Sequence, residues 1–246
     1  ASGRPVVLFV DTFNGYFETE NGSAAARVLK AAGYEVAVVA RADGRPHCCG
    51  RTWLATGQVD KARERLRALI DDLHPIAAAG MAIVGLEPSC LLTLRDEALV
   101  MGLGDKARVV ASRALLFEEF VAAEAAAGRF SARFHPVGRP VLVHGHCHQK
   151  AFGAVEPILA TLRLIPGAAP SLIETSCCGM AGSFGYDAKH QAVSKAMAEL
   201  TLLPAVRSQP DAIVVADGTS GRHQIADGTR RDALHVARVL EQQLVH

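Results

Sequence analysis

The chain has 246 residues, half of them hydrophobic and 21% charged, a globular composition that excludes a disordered, collagen-like or coiled-coil chain and allows one large domain or two ordinary ones. Lys plus Arg number 26 and Asp plus Glu 25, so the net charge of +1 provides no field for gripping nucleic acid or anionic lipid. The longest apolar runs, such as Met81–Leu86 and Asp211–Ala216, fall far short of the ~20 residues of a membrane span. No basic-then-apolar leader is visible, and the chain opens at Ala1 rather than Met, so it reads as processed or as a piece of something longer.

In chain order, Arg4–Val10 is a short β-branched run and reads as a buried strand. Ser23–Ala32 is an Ala-rich helix with Ser23 as cap and Gly33 as stop, and Glu35–Ala40 is a strand. Asp60–His74 is an amphipathic helix ended by Pro75, followed by the strand Met81–Leu86 and helices over Ser89–Val100 and Ser112–Ala127. Pro136 to Pro140 is a rigid junction. The alternation then restarts: strand Pro140–His144, helix Glu156–Leu164, strand Ser171–Thr175, helix Asp187–Val206, strand Asp211–Ala216 and helix Arg230–Leu244. Strands that are apolar throughout and alternate with helices imply parallel sheets covered on both faces. The expected fold is therefore α/β, with two pseudo-repeated lobes over residues 1–135 and 136–246, each a small parallel sheet flanked by helices.

The lobes look like copies of one pattern. Aligning Pro5 with Pro140, an offset of 135, sets Thr12 opposite Cys147. Each half then carries a Cys-Cys-Gly triplet, Cys48-Cys49-Gly50 and Cys177-Cys178-Gly179, followed by a strand and a turn of small residues. The turns are Glu87-Pro88-Ser89-Cys90 and Gly218-Thr219-Ser220-Gly221, and Cys90 and Gly221 stand 41 and 43 residues past the second cysteine of their triplets. All six cysteines (48, 49, 90, 147, 177 and 178) fall just after the C-terminal end of an expected strand, which in a parallel sheet is one edge. Three thiols per lobe should converge there.

Adjacent cysteines rarely bridge each other, and a chain this long needs no disulfides, so the thiols are expected to be reduced and the protein cytoplasmic. Two thiolates 4 Å apart repel by about 4 kcal/mol at an effective dielectric of 20, so a cation must accompany them. A metal or iron–sulfur cluster does so, because coordination deprotonates the thiol. The run from Gly179 to Gly185, including Gly182, leads into a helix and can present backbone N–H groups to the sulfurs, while its glycines, like Gly50, let the backbone approach a bulky ligand. The chain contains no Cys-x-x-Cys and no ferredoxin-type cysteine run, which disfavours a plain zinc finger or a ferredoxin domain.

The pattern of Cys, then Cys-Cys-Gly, then a Cys-x-x-Cys-like turn, occurring twice, resembles the cysteine-rich CCG-domain family. That family includes the heterodisulfide reductase B subunit, the glycolate oxidase iron–sulfur subunit and lactate-utilisation proteins. The stretches Gly145-His146-Cys147-His148-Gln149-Lys150, Ser176–Gly182, Arg222-His223-Gln224-Ile225 and Glu87-Pro88-Ser89-Cys90 look most like its version at the C-terminal end of FAD-linked 2-hydroxyacid dehydrogenases. The resemblance implies an electron-transfer module with an iron–sulfur cluster, [4Fe-4S] first among the types. It also implies FAD on a partner domain or subunit, an electron acceptor, and substrates of the D-lactate, glycolate or D-2-hydroxyglutarate type. Membership leaves room for peripheral membrane association.

A full family motif has five cysteines and each lobe here has three. Thr12 stands for the leading cysteine of the first lobe, Glu87 opens its turn, and Gly218 and Gly221 take both turn positions of the second. Glu87 is expected either to supply an oxygen ligand or to cap the next helix, and His144, His146 or His148 either to supply a nitrogen or to hydrogen-bond backbone. His47 is expected to lower the pKa of Cys48. The implied ligand set is Cys48, Cys49, Cys90, Cys147, Cys177, Cys178, Glu87, His146 and His148. The alternatives are a degenerate docking module that binds zinc or no metal, and a thiol enzyme using Cys177 or Cys178 as nucleophile.

Overall fold

A computed structural model describes residues 3–245, which divide into two compact units between Ala132 and Arg133. The first unit contains β1 (Arg4–Phe9), α1 (Thr12–Tyr16), α2 (Thr19–Ala31), β2 (Tyr34–Val39), α3 (Arg51–Ala55) and α4 (Val59–Ala78). It continues with β3 (Ile83–Gly85), α5 (Pro88–Arg95), α6 (Glu97–Val100), α7 (Asp105–Ala111), β4 (Ala114–Leu116) and α8 (Phe117–Ala126). The second contains β5 (Val141–His144), α9 (Cys147–Ala151), α10 (Glu156–Leu162), β6 (Pro170–Leu172), a single 3-10 turn (Phe184–Tyr186) and α11 (Gln191–Glu199). It ends with α12 (Leu202–Ser208), β7 (Ile213–Ala216), α13 (Thr219–Thr229), β8 (Ala233–Leu234) and α14 (Val236–Gln242).

Each unit is built on one four-stranded sheet, in the order β2-β1-β3-β4 and β6-β5-β7-β8, and every pairing is parallel. The expected α/β class with two repeated parallel sheets is therefore what the chain adopts. The central strands are the apolar ones: Val6–Phe9 and Val141–His144 are buried because helices cover both faces of the sheet. Helix α4 turns Leu66, Leu69, Ile70, Leu73 and Ala77 inward at helical spacing.

Several expected elements differ. Helix α4 runs through Pro75 to Ala78, because burial of Leu73 and Ala77 on one face outweighs the hydrogen bond that proline removes. The expected helix over Ser112–Ala127 begins with an edge strand, β4, and that over Arg230–Leu244 contains the two-residue strand β8. The long helix expected over Asp187–Val206 splits into α11 and α12, and Thr219–Thr229 forms a helix where only a turn was expected.

The glycine of each Cys-Cys-Gly triplet fixes its loop against a following helix. Gly50 has φ +81°, and a Cβ there would stand 2.6 Å from the Ala62 carbonyl oxygen in α4. Gly179 has φ +88°, and its Cβ would stand 2.1 Å from the Ser194 oxygen in α11. Any side chain would push the cysteine loop off the sheet edge. Gly179→Ala is expected to destabilise the protein by about 2–4 kcal/mol, combining left-handed strain with a backbone clash. Gly182→Ala, at φ +67° but in open space, should cost only about 1–2 kcal/mol. Urea denaturation midpoints check this, and equal losses for the two variants would refute the packing argument.

Candidate metal centres

In the first unit the site forms where β1, β2 and β3 end. An isolated parallel bridge between Asp11 and His47 lays the segment carrying Cys48 and Cys49 beside the end of β1. The Cys49 and Cys90 thiols share a hydrogen bond, and Cys48 and Thr12 interact through their side chains. Cys49 and Cys90 are buried and Cys48 is partly exposed. Two buried carboxyls complete the cluster. Asp11 caps α1, accepting from the Phe13 N–H at 2.8 Å and from the Asn14 side-chain amide at 2.6 Å. Glu87 caps α5, accepting from the Ser89 N–H at 3.3 Å and from Ser89 Oγ at 2.7 Å.

The electrostatics of this cluster are those of crowded acids. Burial and the nearby Glu87 push the Asp11 carboxyl up to about 6. The hydrogen bond to Cys49, then burial and the charges of Cys49, Asp11 and Glu87, raise the Cys90 thiol well above the ordinary thiol range. Burial also raises Cys48, although the Gly50 N–H points at its sulfur at 3.4 Å. The expected lowering of Cys48 by His47 does not occur: the imidazole faces Asp72 at 3.0 Å, and desolvation of the thiol dominates. Burial thus favours the protonated forms of Asp11, Cys48 and Cys90, and a cation that displaced the protons would meet three sulfurs and two carboxylates.

In the second unit the corresponding edge carries Cys147 at the first position of α9, with Cys177 and Cys178 on the loop after β6. His146, the counterpart of Asp11, caps α9 by accepting the His148 N–H at 3.2 Å. The His146, Cys147 and His148 donor atoms all lie within 4.8 Å of one another. The hydrogen bond from Cys178, with the Gly179 and Ala181 N–H groups and Lys150, pulls Cys177 down to about 5, while Cys178 is held up by the same bond and by burial. The pair therefore carries one proton, and the thiolate is Cys177. Lys150 acts on all three thiols and donates to the carbonyls of Thr175 and Ser176.

Buried polar groups hold this edge in place. Gln224 donates to the Cys178 carbonyl at 2.8 Å and to the Ser194 carbonyl at 3.1 Å, tying the cysteine loop to α11. Arg222 donates to the Ala216 carbonyl at 2.8 Å, closing the end of β7 onto α13. Asp217 accepts from Gln149 at 3.2 Å and from the Val236 N–H at 2.9 Å, linking α9 and α14 beneath the site. Gly218 and Gly221 leave room for imidazole. A Cβ at 218 would stand 2.3 Å from His146 Cδ2, and one at 221 would stand 3.0 Å from His144 Cδ2.

The structure thus brings Cys48, Cys49, Cys90 and Glu87 together in one unit, and Cys147, Cys177, Cys178, His146 and His148 in the other. Gly50 and Gly179 serve the sites through their N–H groups, at 3.4 and 3.3 Å from the Cys48 and Cys177 sulfurs. Gly182 meets nothing within 4 Å at its Cβ position. Sequence reasoning missed Asp11, Lys150 and the way His144 fills the room beside Gly221. The signal for Asp11 was its place opposite His146 at the offset of 135. A cavity of about 610 Å³ lined by Val137, Arg139, Ile213, Arg231, Asp232 and Gln242 lies at the starts of β5, β7 and β8, the ends away from the thiols. Its arginines are committed to the Asp211, Val206 and Gln209 carbonyls, so it reads as structural.

Residues 11–95 and 141–221 match the CCG cysteine-rich domain. The chain is similar to the C subunit of the anaerobic glycerol-3-phosphate dehydrogenase of Escherichia coli K12, with 25% identity over 241 residues covering 97% of this chain and 59% of that protein. It is also similar to the D-2-hydroxyglutarate dehydrogenases of Pseudomonas putida (28% over 250 residues, 97% of this chain and 22% of that one) and of E. coli K12 (25% over 227 residues, 90% and 21%). The chain therefore spans 59% of the length of the first of these relatives and about a fifth of the other two.

Exposure and thiolate character together set an order of reactivity. In metal-stripped protein at pH 7, iodoacetamide is expected to label exposed Cys147 and the Cys177 thiolate at least about tenfold faster than buried Cys49, Cys90 and Cys178. Peptide mapping by mass spectrometry against time checks the order, and early labelling of Cys49 or Cys90 would contradict the buried cluster.

Proposed function

Since the chain belongs to the CCG cysteine-rich domain family, we propose that it is the iron–sulfur-binding electron-transfer module of an FAD-linked dehydrogenase for a 2-hydroxyacid of the D-lactate, glycolate or D-2-hydroxyglutarate type. The observation that carries this reading is the convergence of Cys48, Cys49 and Cys90, separated by up to 42 positions, at one buried sheet edge with Glu87 and Asp11 beside them. That donor set fits an iron–sulfur cluster. The sulfurs are mutually close and the edge is largely dry. The one feature short of a four-thiolate site is a missing cysteine, and a carboxylate stands in its place.

Cys48, Cys49 and Cys90 would hold the cluster, with the Glu87 carboxylate as the fourth donor. Bound there, an iron–sulfur cluster supplies storage of a single electron at a potential set by its ligands and surroundings. The chain's own residues set those surroundings. The Gly50 N–H directed at Cys48 stabilises negative charge on that sulfur. Burial shifts the Asp11 carboxyl, next to Cys90, toward its protonated form and so limits the negative charge of the edge. In the second unit Cys147, Cys177, Cys178, His146 and His148 form a further metal-binding edge. FAD sits on a partner domain or subunit, and the electron passes on to a separate acceptor. The similarity to parts of longer dehydrogenases supports such a division of labour. A cytoplasmic location accords with this reading, and no helix among the described residues is long and apolar enough to cross a membrane.

Protein purified without oxygen is expected to be brown, with more than one iron per chain and matching acid-labile sulfide. Cys49→Ser and Cys90→Ser should each lose most of both. A colourless, iron-free chain would overturn the proposal and favour the degenerate docking module.

A further inference from the structure

We propose that the second unit binds a single zinc-class divalent ion through His146, Cys147 and His148, a site different in kind from the cluster of the first unit. The proposal deepens the reading above by assigning a second, separate metal to the same chain.

Two observations carry it. First, the three donor atoms already lie within 4.8 Å of one another. Around a tetrahedral zinc ion such atoms stand about 3.3–3.8 Å apart, so they need to close by only about 1 Å, a side-chain adjustment. Cys147 is exposed, which gives an ion a path in and leaves a fourth position for water. Two imidazoles and one thiolate suit a borderline ion better than a cluster that wants sulfur throughout.

Second, the side chains that would complete a cluster are excluded by imidazole. His146 fills the room of a Cβ at Gly218, and His144 presses on that at Gly221. The matching positions of the first unit hold Glu87 and Cys90. His144 is 3% exposed and its Nδ1 is buried with no hydrogen-bond partner. A buried nitrogen left without a partner is unfavourable, and His144 stands close enough to His146 to feel its charge.

An ion on His146 Nδ1 displaces the hydrogen bond from the His148 N–H, a small loss beside the coordinate bonds to imidazole and thiolate that replace it.

Cobalt(II) is the probe. Added without oxygen to the metal-stripped full chain carrying Cys49→Ser and Cys90→Ser, which removes the paired thiols of the first unit, it should bind one per chain and give tetrahedral d–d bands with a sulfur-to-cobalt charge-transfer band, both bleached by one equivalent of zinc. Adding Cys147→Ser or His148→Ala to that background, with folding verified by circular dichroism, should weaken binding at least about tenfold. Bands that survive both additions unchanged, or no bands in the background variant, would overturn the site. Iron and sulfide in the as-isolated chain are measured separately. Their absence with cobalt binding intact sinks only the cluster, and the reverse result sinks only this site.

Discussion

Three thiols gathered at one sheet edge cannot all ionise, and the way each unit manages that charge organises everything around it. A parallel sheet delivers its loops to a single edge, so residues far apart in sequence meet there without further design. Bringing thiols to the edge is therefore inexpensive in structure, and keeping negative charge there is not. The first unit meets the difficulty by favouring protonated forms: a thiol–thiol hydrogen bond and burial keep the proton on Cys90, and burial beside Glu87 raises Asp11 toward its neutral form. The second meets it with positive charge and aimed N–H groups, so that Cys177 is a thiolate while Cys178 keeps its proton.

The same topology thus carries two chemistries. Both sheets have the same strand order, and both cysteine loops turn on a glycine that no other residue can replace without moving the backbone. The divergence lies in the two helix caps that face each other at the edge. In the first unit these are carboxylates, Asp11 and Glu87. In the second they are His146 and Gly218. Asp11, Glu87 and His146 each offer a side-chain acceptor to the first turn of their helix, carboxylate or imidazole alike, whereas Gly218 offers none. Capping therefore tolerates a change that alters what the edge can ligate.

Much of this was legible from sequence, for identifiable reasons. The central strands are continuous apolar runs, and the cysteines fall at their ends, so both sheets and the meeting of the thiols followed from pattern. Strands β4 and β8 did not, because three and two residues of Ala and Leu beside a helix carry no period of their own. Helix α13 was hidden by Gly221, Gly228 and a polar composition; its inward residues include Arg222 and Gln224, buried because they bind backbone carbonyls. Pro75 misled in the opposite direction, since tertiary burial overrode local propensity. At the site, Lys150 was invisible because its role depends on which sulfurs lie nearby, something spacing does not encode, whereas Asp11 could have been found from its place opposite His146 in the repeat.

The glycines at 218 and 221 and the histidines beside them are structurally coupled. Space for a Cβ at 218 and the present position of the His146 ring are mutually exclusive, since they would approach to 2.3 Å. At 221 the approach to His144 is 3.0 Å, tight enough to require the ring to shift. His144 is anchored at the end of β5, buried and in register with Ala216, so it has little freedom to yield. A thiol reintroduced at either glycine would therefore meet imidazole before it met metal. Restoring a cluster-binding edge in the second unit requires the histidines and the glycines to change together, which is why its donor set is a self-consistent one rather than the first unit's with pieces missing.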